Sequence, residues 1–444
     1  MDELSTFIEE IKTNTSDGKL SIDEARYVVS KINEFLYTKY HDVGTTKALE
    51  QTFSYFSDFH KYWENHYKEI LNVHIDETQC EKVAEALHDV FINTNGSAFK
   101  ETFDTQGLPD ETVCRIRFLT ANQDFRGSRN FSEFAEIYSQ DPAIFDEEVI
   151  FNDPENFLKA LRIQNLSQSD KRLIYAKRVA EFLTERHITP YDIPKAFHND
   201  VAEFKAALIS FTGAGYGNKK TDMFIRDMVV LGIWKNVYGF DKIDVASDIN
   251  TVKVALRTGI LQTAIPLVSS FIDIFCYQYG YIDEMNAKAW RKVWEIWMNK
   301  FPEETISSPC LMDYFVYNVV GRQFCKERLY IFECNEKQHT FKWHSYRNTR
   351  CQICYENGEK NISAHITDKL LPCSDKDGRL AIRQTDFVKS LPRDKKINQC
   401  PFADICNTYG KKGLQPPKSI SIKGRTGWID AYADKDNGGG GLMA

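Results

Sequence analysis

Apolar residues recur at helical spacing along most of this 444-residue chain. After a capping serine at Ser21, the segment "SIDEARYVVSKINEFLYTKY" places Ala25, Val28, Val29, Ile32 and Phe35 on one face, which predicts an amphipathic helix. The aromatic run "FSYFSDFHKYWENHY" reads as another core-facing helix. From about residue 110 to 320 the same period continues, punctuated by Gly, Pro and Asp in "TANQDFRGSRNFSEF", "NDPENF" and "ITPYDIP". No sustained alternation of apolar and polar residues predicts strands there. At 321 the texture changes: "RLYIFEC" and "KSISIKG" read as short β runs, and "KDNGGGGLMA" has the composition of a linker or free terminus. The pattern predicts a mainly α protein in three segments: an N-terminal helical region (1–105), a helical core (106–320) and a cysteine-rich module with its glycine-rich tail (321–444).

Within the core, "SFTGAGYGNKKTDMF" (210–224) separates two amphipathic patterns, Val201, Phe204, Leu208 and Phe211 before it and Phe224, Ile225, Met228 and Leu231 after it. The prediction is a helix-hairpin-helix. Its spacing excludes a nucleotide-hydrolase loop, because Asn218 stands where the second glycine belongs and Lys220-Thr221 comes one residue late. A dinucleotide fingerprint fails as well, since Gly217 arrives one position early. No nucleotide cofactor is expected. Gly213, Gly215 and Gly217 are expected to supply positive φ and let backbone N–H groups approach a phosphate, with Asn218 at the positive end of the second helix. An ordinary glycine-rich connector is the other reading of these residues.

Charge changes the picture once the chain is divided. The whole carries a formal −7, but residues 321–444 hold 22 Lys and Arg against 14 Asp and Glu (+8), leaving 34 against 49 (−15) for residues 1–320. The basic part is the cysteine-rich part, which suits a nucleic-acid partner. Seven of the eleven cysteines lie from Cys325 onward, a clustering that points to metal in an intracellular chain. The most apolar run, "ILQTAIPLVSSFIDIFCYQYG", is broken by Gln262, Pro266, two serines and Asp273 and reads as a buried helix. A cytoplasmic or nucleoid-associated protein without a membrane contact is expected.

Beyond the hairpin, Asp248 precedes the apolar-periodic Val252, Val254, Ala255 and Leu256 and is placed to cap a helix. In "DINTVKVALRT", Asp248, Asn250, Lys253, Val254, Arg257 and Thr258 match in register the D-x-[HN]-x-x-[RK]-V-x-x-R-T element of a known family. Together with the hairpin lysines, the sequence resembles the helix-hairpin-helix (HhH-GPD) DNA glycosylases of the endonuclease III superfamily. The resemblance implies a two-lobed glycosylase core and a duplex DNA substrate carrying a damaged or modified base, which is flipped out and excised. It also implies that Asp248 stabilises the developing sugar cation while a lysine captures C1′ as a Schiff base, with associated AP-lyase nicking. Lys220 fits the helix phase best, and Lys219 fits a count from Gly215. The Lys220–Asp248 separation resembles that of the archaeal 8-oxoguanine glycosylases. "FLTANQDFRGSRNF" lies where family members carry a residue that fills the space left by the extruded base, making Asn122, Gln123 and Arg126 candidates; a turn rich in cap residues is the alternative.

"VVGRQFC" (319–325) resembles the start of the family's iron–sulfur loop, and "CPFADIC" (400–406) repeats its final spacing. The long stretch between them is an insertion. Cys334, His339 or His344, Cys351 and Cys354 form a mixed set suited to tetrahedral zinc. Cys325, Cys373, Cys400 and Cys406 remain for a [4Fe–4S] cluster. Two zinc sites are the other partition. The competing functions are a non-catalytic DNA-binding hairpin and a metal-stabilised interaction protein.

Overall fold

The computed structural model describes residues 10, 20–29, 54–124, 129–166, 168–265, 279–324, 329–343, 348–370, 373–374, 380–381, 400–407, 412–413, 420–422 and 431–433. The protein is mainly helical, with a cysteine cluster toward its C-terminus. The longer helices are α1 (Ser54–Leu71), α2 (Glu77–Thr94), α3 (Asp110–Ala121), α4 (Phe131–Gln140), α5 (Pro154–Ala160), α6 (Ser169–Thr184), α7 (Val201–Ser210), α8 (Asn218–Val230), α9 (Ile249–Thr258) and α10 (Tyr279–Lys300). Contacts divide the chain into two compact units that interleave along the sequence: residues 1–87, 249–293 and 316–444 form one, residues 88–248 and 294–315 the other. The composition change at 321 therefore marks a change of chemistry inside the first unit.

In that unit, Ser21 opens the helix over 22–29 with a capping box: its Oγ accepts from Glu24 N (3.2 Å), and Glu24 Oε2 accepts from Ser21 N (2.7 Å). Ala25, Val28 and Val29 are buried as the pattern required, while Ile32 and Phe35 lie outside the described residues. A π-helical stretch, Phe315–Phe324, brings Gly321 against α9. A Cβ on Gly321 would stand 2.8 Å from Asn250 Cβ, so only glycine lets the two segments approach this closely. Strands β1 (Leu329–Cys334), β2 (Thr340–Trp343) and β3 (Ala364–Leu370) form an antiparallel sheet in the order β2-β1-β3, with a bulge at Ile331/Phe332.

The second unit has its own aromatic core. Phe204, Phe224 and Trp234 converge from α7, α8 and the turn beyond, with Phe224 edge-on to Trp234 at 5.2 Å and Phe118 of α3 at 5.1 Å from Phe224. This apolar wedge fixes the angle between the two hairpin helices. Beside it lies a buried ionic knot: Arg226 pairs with Asp227 and Asp313 (2.8 Å to the latter), and Arg117 pairs with Asp227 at 2.9 Å. Burial alone would raise the Asp227 carboxyl, but Arg226 and Arg117 outweigh it and hold it below the ordinary range.

Candidate active site and metal centre

The segment joining α7 to α8 is shaped by what supports it. Gly213 and Gly215 adopt φ of +85° and +74°, the left-handed region that favours glycine. At Gly215 a Cβ would also stand 2.6 Å from the Tyr175 ring of α6. Gly217 departs from the expectation of three positive φ angles: its backbone is extended (φ −109°, ψ −173°), and a Cβ there would meet open space. It is the N-cap of α8, and no side chain caps that end. Gly213 and the run Gly217, Asn218 and Lys219 are exposed, whereas Ala214 and Tyr216 are buried. Tyr216 stacks on Phe118 at 5.3 Å and donates its hydroxyl to the Phe118 carbonyl.

Asn122 and Gln123, expected as residues that enter the DNA, are fully buried. Asn122 Nδ2 donates to the Tyr175 carbonyl (2.9 Å) and the Ala214 carbonyl (3.0 Å), which fixes the amide orientation because a flipped oxygen would face two acceptors. Gln123 Nε2 donates to the Arg172 carbonyl at 3.2 Å. In this conformation both amides brace α6 and the hairpin and present nothing to insert between bases. Arg126 lies outside the described residues.

The main-chain carbonyls of the same two residues receive cations. Lys220 Nζ donates to Asn122 O at 2.8 Å, and the buried Arg172 donates Nη1 to Gln123 O at 2.8 Å. Carbonyls just past the end of α3 lack helical partners and carry its negative dipole end, so they attract such groups. Lys220 also sits in the first turn of α8, whose positive end disfavours an ammonium. Desolvation pushes its pKa down to about 8; Asp124 opposes the shift, and Lys219, Arg172 and Arg117 reinforce it. An unperturbed lysine has about one neutral amine in three thousand at pH 7, whereas a pKa near 8 makes it roughly one in eleven. Lys219, one residue earlier and so about 100° around the helix, is exposed.

Asp248 is half-buried immediately before α9, at the position of its cap. Burial pushes the neighbouring Asp313 carboxyl up to about 7, with Asp248 adding to the rise and Lys219 opposing it, so Asp248 and Lys219 act on one carboxyl. Asn250, in the first turn of α9, accepts from Lys253 Nζ at 3.2 Å and packs against Gly321. Arg172, Asp124 and Asp313 were not singled out from sequence. No local motif marks them, since folding brings Arg172 to Gln123 across 49 residues.

In the C-terminal segment, one ligand atom from each of Cys334, His339, Cys351 and Cys354 lies within 4.8 Å of the others. Cys334 and Cys354 sulfurs are 3.9 Å apart, and His339 Nε2 is 3.0 Å from Cys351 Sγ and 3.7 Å from Cys354 Sγ. Bonds of about 2.3 Å to sulfur in a tetrahedron put two sulfurs about 3.8 Å apart, so this set could hold a metal ion such as zinc. The geometry follows from the turn joining β1 to β2, closed by Cys334 N donating to His339 O (3.1 Å), and from Cys351, the N-cap of the short helix Gln352–Glu356. Backbone N–H groups of Lys337 and Cys354 point at the sulfurs of Cys334 and Cys351. Of the two histidine candidates His339 completes the set, and His344 lies outside the described residues.

Of the four cysteines expected at a [4Fe–4S] cluster, Cys400 is buried just before the turn that leads into the helix Ala403–Asn407, and Cys406 is buried within that helix. Cys373 belongs to a two-residue strand whose side chains lie outside the described residues, as does Cys325 entirely. No described helix is long and apolar enough to cross a membrane. No protein-family model and no curated protein matches the chain, so the chemistry of the Lys220 site rests on its own residues.

Proposed function

We propose that this protein is a helix-hairpin-helix DNA glycosylase that excises a damaged or modified base from duplex DNA, with Lys220 as a Schiff-base nucleophile. The observation that carries the reading is a lysine amine half-buried behind a glycine hairpin, its pKa brought down to about 8. The uncapped start of α8 and the exposed Gly213, Gly217 and Asn218 offer backbone N–H groups and helix charge to a phosphate. With a flipped nucleotide in place, the neutral Lys220 amine attacks C1′ as the N-glycosidic bond breaks, and the base leaves with the bonding electron pair and accepts a proton. Asp248 stabilises the cationic sugar. Opening of the sugar ring gives the imine, and loss of the C2′ proton then expels the 3′ phosphate.

The inserted cysteine–histidine set holds zinc as a structural ion. Cys325, Cys373, Cys400 and Cys406 hold a [4Fe–4S] cluster in this reading. Two observations support it: the buried Cys400 and Cys406, and the fully buried Arg257 of α9, whose three guanidinium nitrogens have no hydrogen-bond partner among the described residues. Helix α9 packs against the Ala403–Asn407 helix, and an anionic thiolate cluster would satisfy such a cation.

The test is borohydride trapping on duplexes carrying a panel of damaged and modified bases. Wild type should form a covalent complex with at least one of them, Lys220→Gln should form none while still binding DNA, and Asp248→Asn should slow base release by about 10²-fold or more. Undiminished trapping by Lys220→Gln, together with its loss in Lys219→Gln, would move the nucleophile by one residue. Absence of trapping and base release with every duplex would refute the enzyme and leave a DNA-binding hairpin.

A further inference from the structure

Helix α6 does more than support the hairpin from behind. Arg178 donates Nε to the Thr212 carbonyl at 3.2 Å and is otherwise engaged with Glu181, so it serves as a brace. Ile174 lies on the other side of the same contact: its Cγ2 is 3.6 Å from where a Gly213 Cβ would be, yet the residue is 53% exposed. Three residues to either side of it, Lys171 and Lys177 are also exposed. Neither lysine has an ion-pair partner among the described residues; Lys177 lies 5.3 Å from the centre of the Phe151 ring. The exposed edge of α6 therefore runs Lys171, Ile174, Lys177 and meets the hairpin at Gly213, so that the two form one surface.

We propose that this edge of α6 is a second contact strip for the DNA backbone, continuous with the hairpin, in which Lys171 and Lys177 each neutralise one phosphate and Ile174 packs against the sugar between them. Charge complementarity selects this partner: the strip carries two exposed lysines, Asp170 is the acidic residue of the first turn of α6, and Glu181 further along the helix is neutralised by Arg178. The apolar residue is placed where a nucleic-acid backbone presents apolar ribose between charges. The assignment rests on reading the hairpin as a DNA contact, and it adds a footprint that the hairpin alone does not supply.

Salt dependence counts phosphates directly, with log K falling by about 0.9 per neutralised phosphate for each tenfold rise in salt. The experiment measures binding of an undamaged fluorescent duplex by the full-length protein between 50 mM and 200 mM salt. It compares wild type, Lys171→Gln/Lys177→Gln, the exposed control pair Lys195→Gln/Lys242→Gln, and Lys219→Gln. The strip variant should lower the slope by about 1.8, so that its affinity deficit shrinks about twelvefold across that range, while the control pair leaves the slope unchanged. A wild-type slope in the strip variant, with a reduced slope in Lys219→Gln, would overturn the strip and leave the hairpin reading standing. Loss of slope in the control pair as large as in the strip variant would also overturn it, by showing that total charge alone matters. Absence of salt-dependent duplex binding in wild type would sink both.

Discussion

If Lys220 is held near a pKa of about 8, the fold carries an ammonium it would rather not have, and removing it should stabilise the protein in a pH-dependent way. The folded pKa lies below the ordinary 10.5. The penalty is therefore fully present below pH 8, declines as pH rises from 8 to 10.5, and is gone above that range. At 1.36 kcal/mol per pH unit, it amounts to about 3 kcal/mol at pH 7, about 2 at pH 9 and just under 1 at pH 10. Lys220→Gln removes the titrating group and with it the hydrogen bond to Asn122 O. Contributions of the neutral side chain do not change with pH, so the difference between two pH values isolates the ionisation. Urea melts of wild type and Lys220→Gln at pH 7, 8.5 and 10, followed by tryptophan fluorescence, should show the variant's relative stability falling by about 2–3 kcal/mol from pH 7 to pH 10. A difference flat to within about 0.5 kcal/mol would mean that Lys220 titrates as an ordinary surface lysine, and the argument for its nucleophilicity would fail.

Two glycines of one loop should behave oppositely. Gly215→Ala places a Cβ in the left-handed region against the Tyr175 ring and should cost about 2–4 kcal/mol in a thermal melt, whereas Gly217→Ala should stay within about 0.5 kcal/mol and weaken only DNA binding. Asn122→Ala leaves the buried Tyr175 and Ala214 carbonyls without their donor and should cost about 2–3 kcal/mol, read from the same melts. Elemental analysis should find one zinc that is lost in His339→Ala and Cys354→Ser and retained in His344→Ala; retention in His339→Ala would place the ligand elsewhere.

What could be read in the sequence was what is local in the chain. Periodicity around residues 201–231 reports two helices because each buries one stripe, and the loop between them announces itself through glycine. Cys351 and Cys354 are legible because two residues on a turn bring two sulfurs to one point. Choosing His339 over His344 depends on the pairing of β1 with β2, which spacing does not specify. Burial of Asn122 and Gln123 was hidden for the same reason: polar residues after a helix look like a surface turn until α6 and the hairpin supply the carbonyls that receive them. The interleaved units were hidden too, because a chain that leaves one core and returns to it carries no mark of the crossing in its composition.

The end of α3 unites these observations. Asn122 uses its side chain to hold the hairpin and its carbonyl to hold the Lys220 amine, so the geometry of the glycine loop and the position of the amine are set by one residue. Gln123 repeats the arrangement toward Arg172, its amide donating to that residue's carbonyl and its own carbonyl accepting from the guanidinium. A half-buried amine supported this way is pushed toward neutrality by the first turn of α8, by burial and by the cations around it, while the Asn122 carbonyl and Asp124 keep it within reach of protonation. Balance between those influences is what a lysine nucleophile needs near neutral pH: burial without the carbonyl would leave the amine unplaced, and the carbonyl without burial would leave it protonated. The same balance accounts for the direction of the two main variants, since removing the amine relieves a penalty whereas removing the Asn122 amide breaks the frame that imposes it.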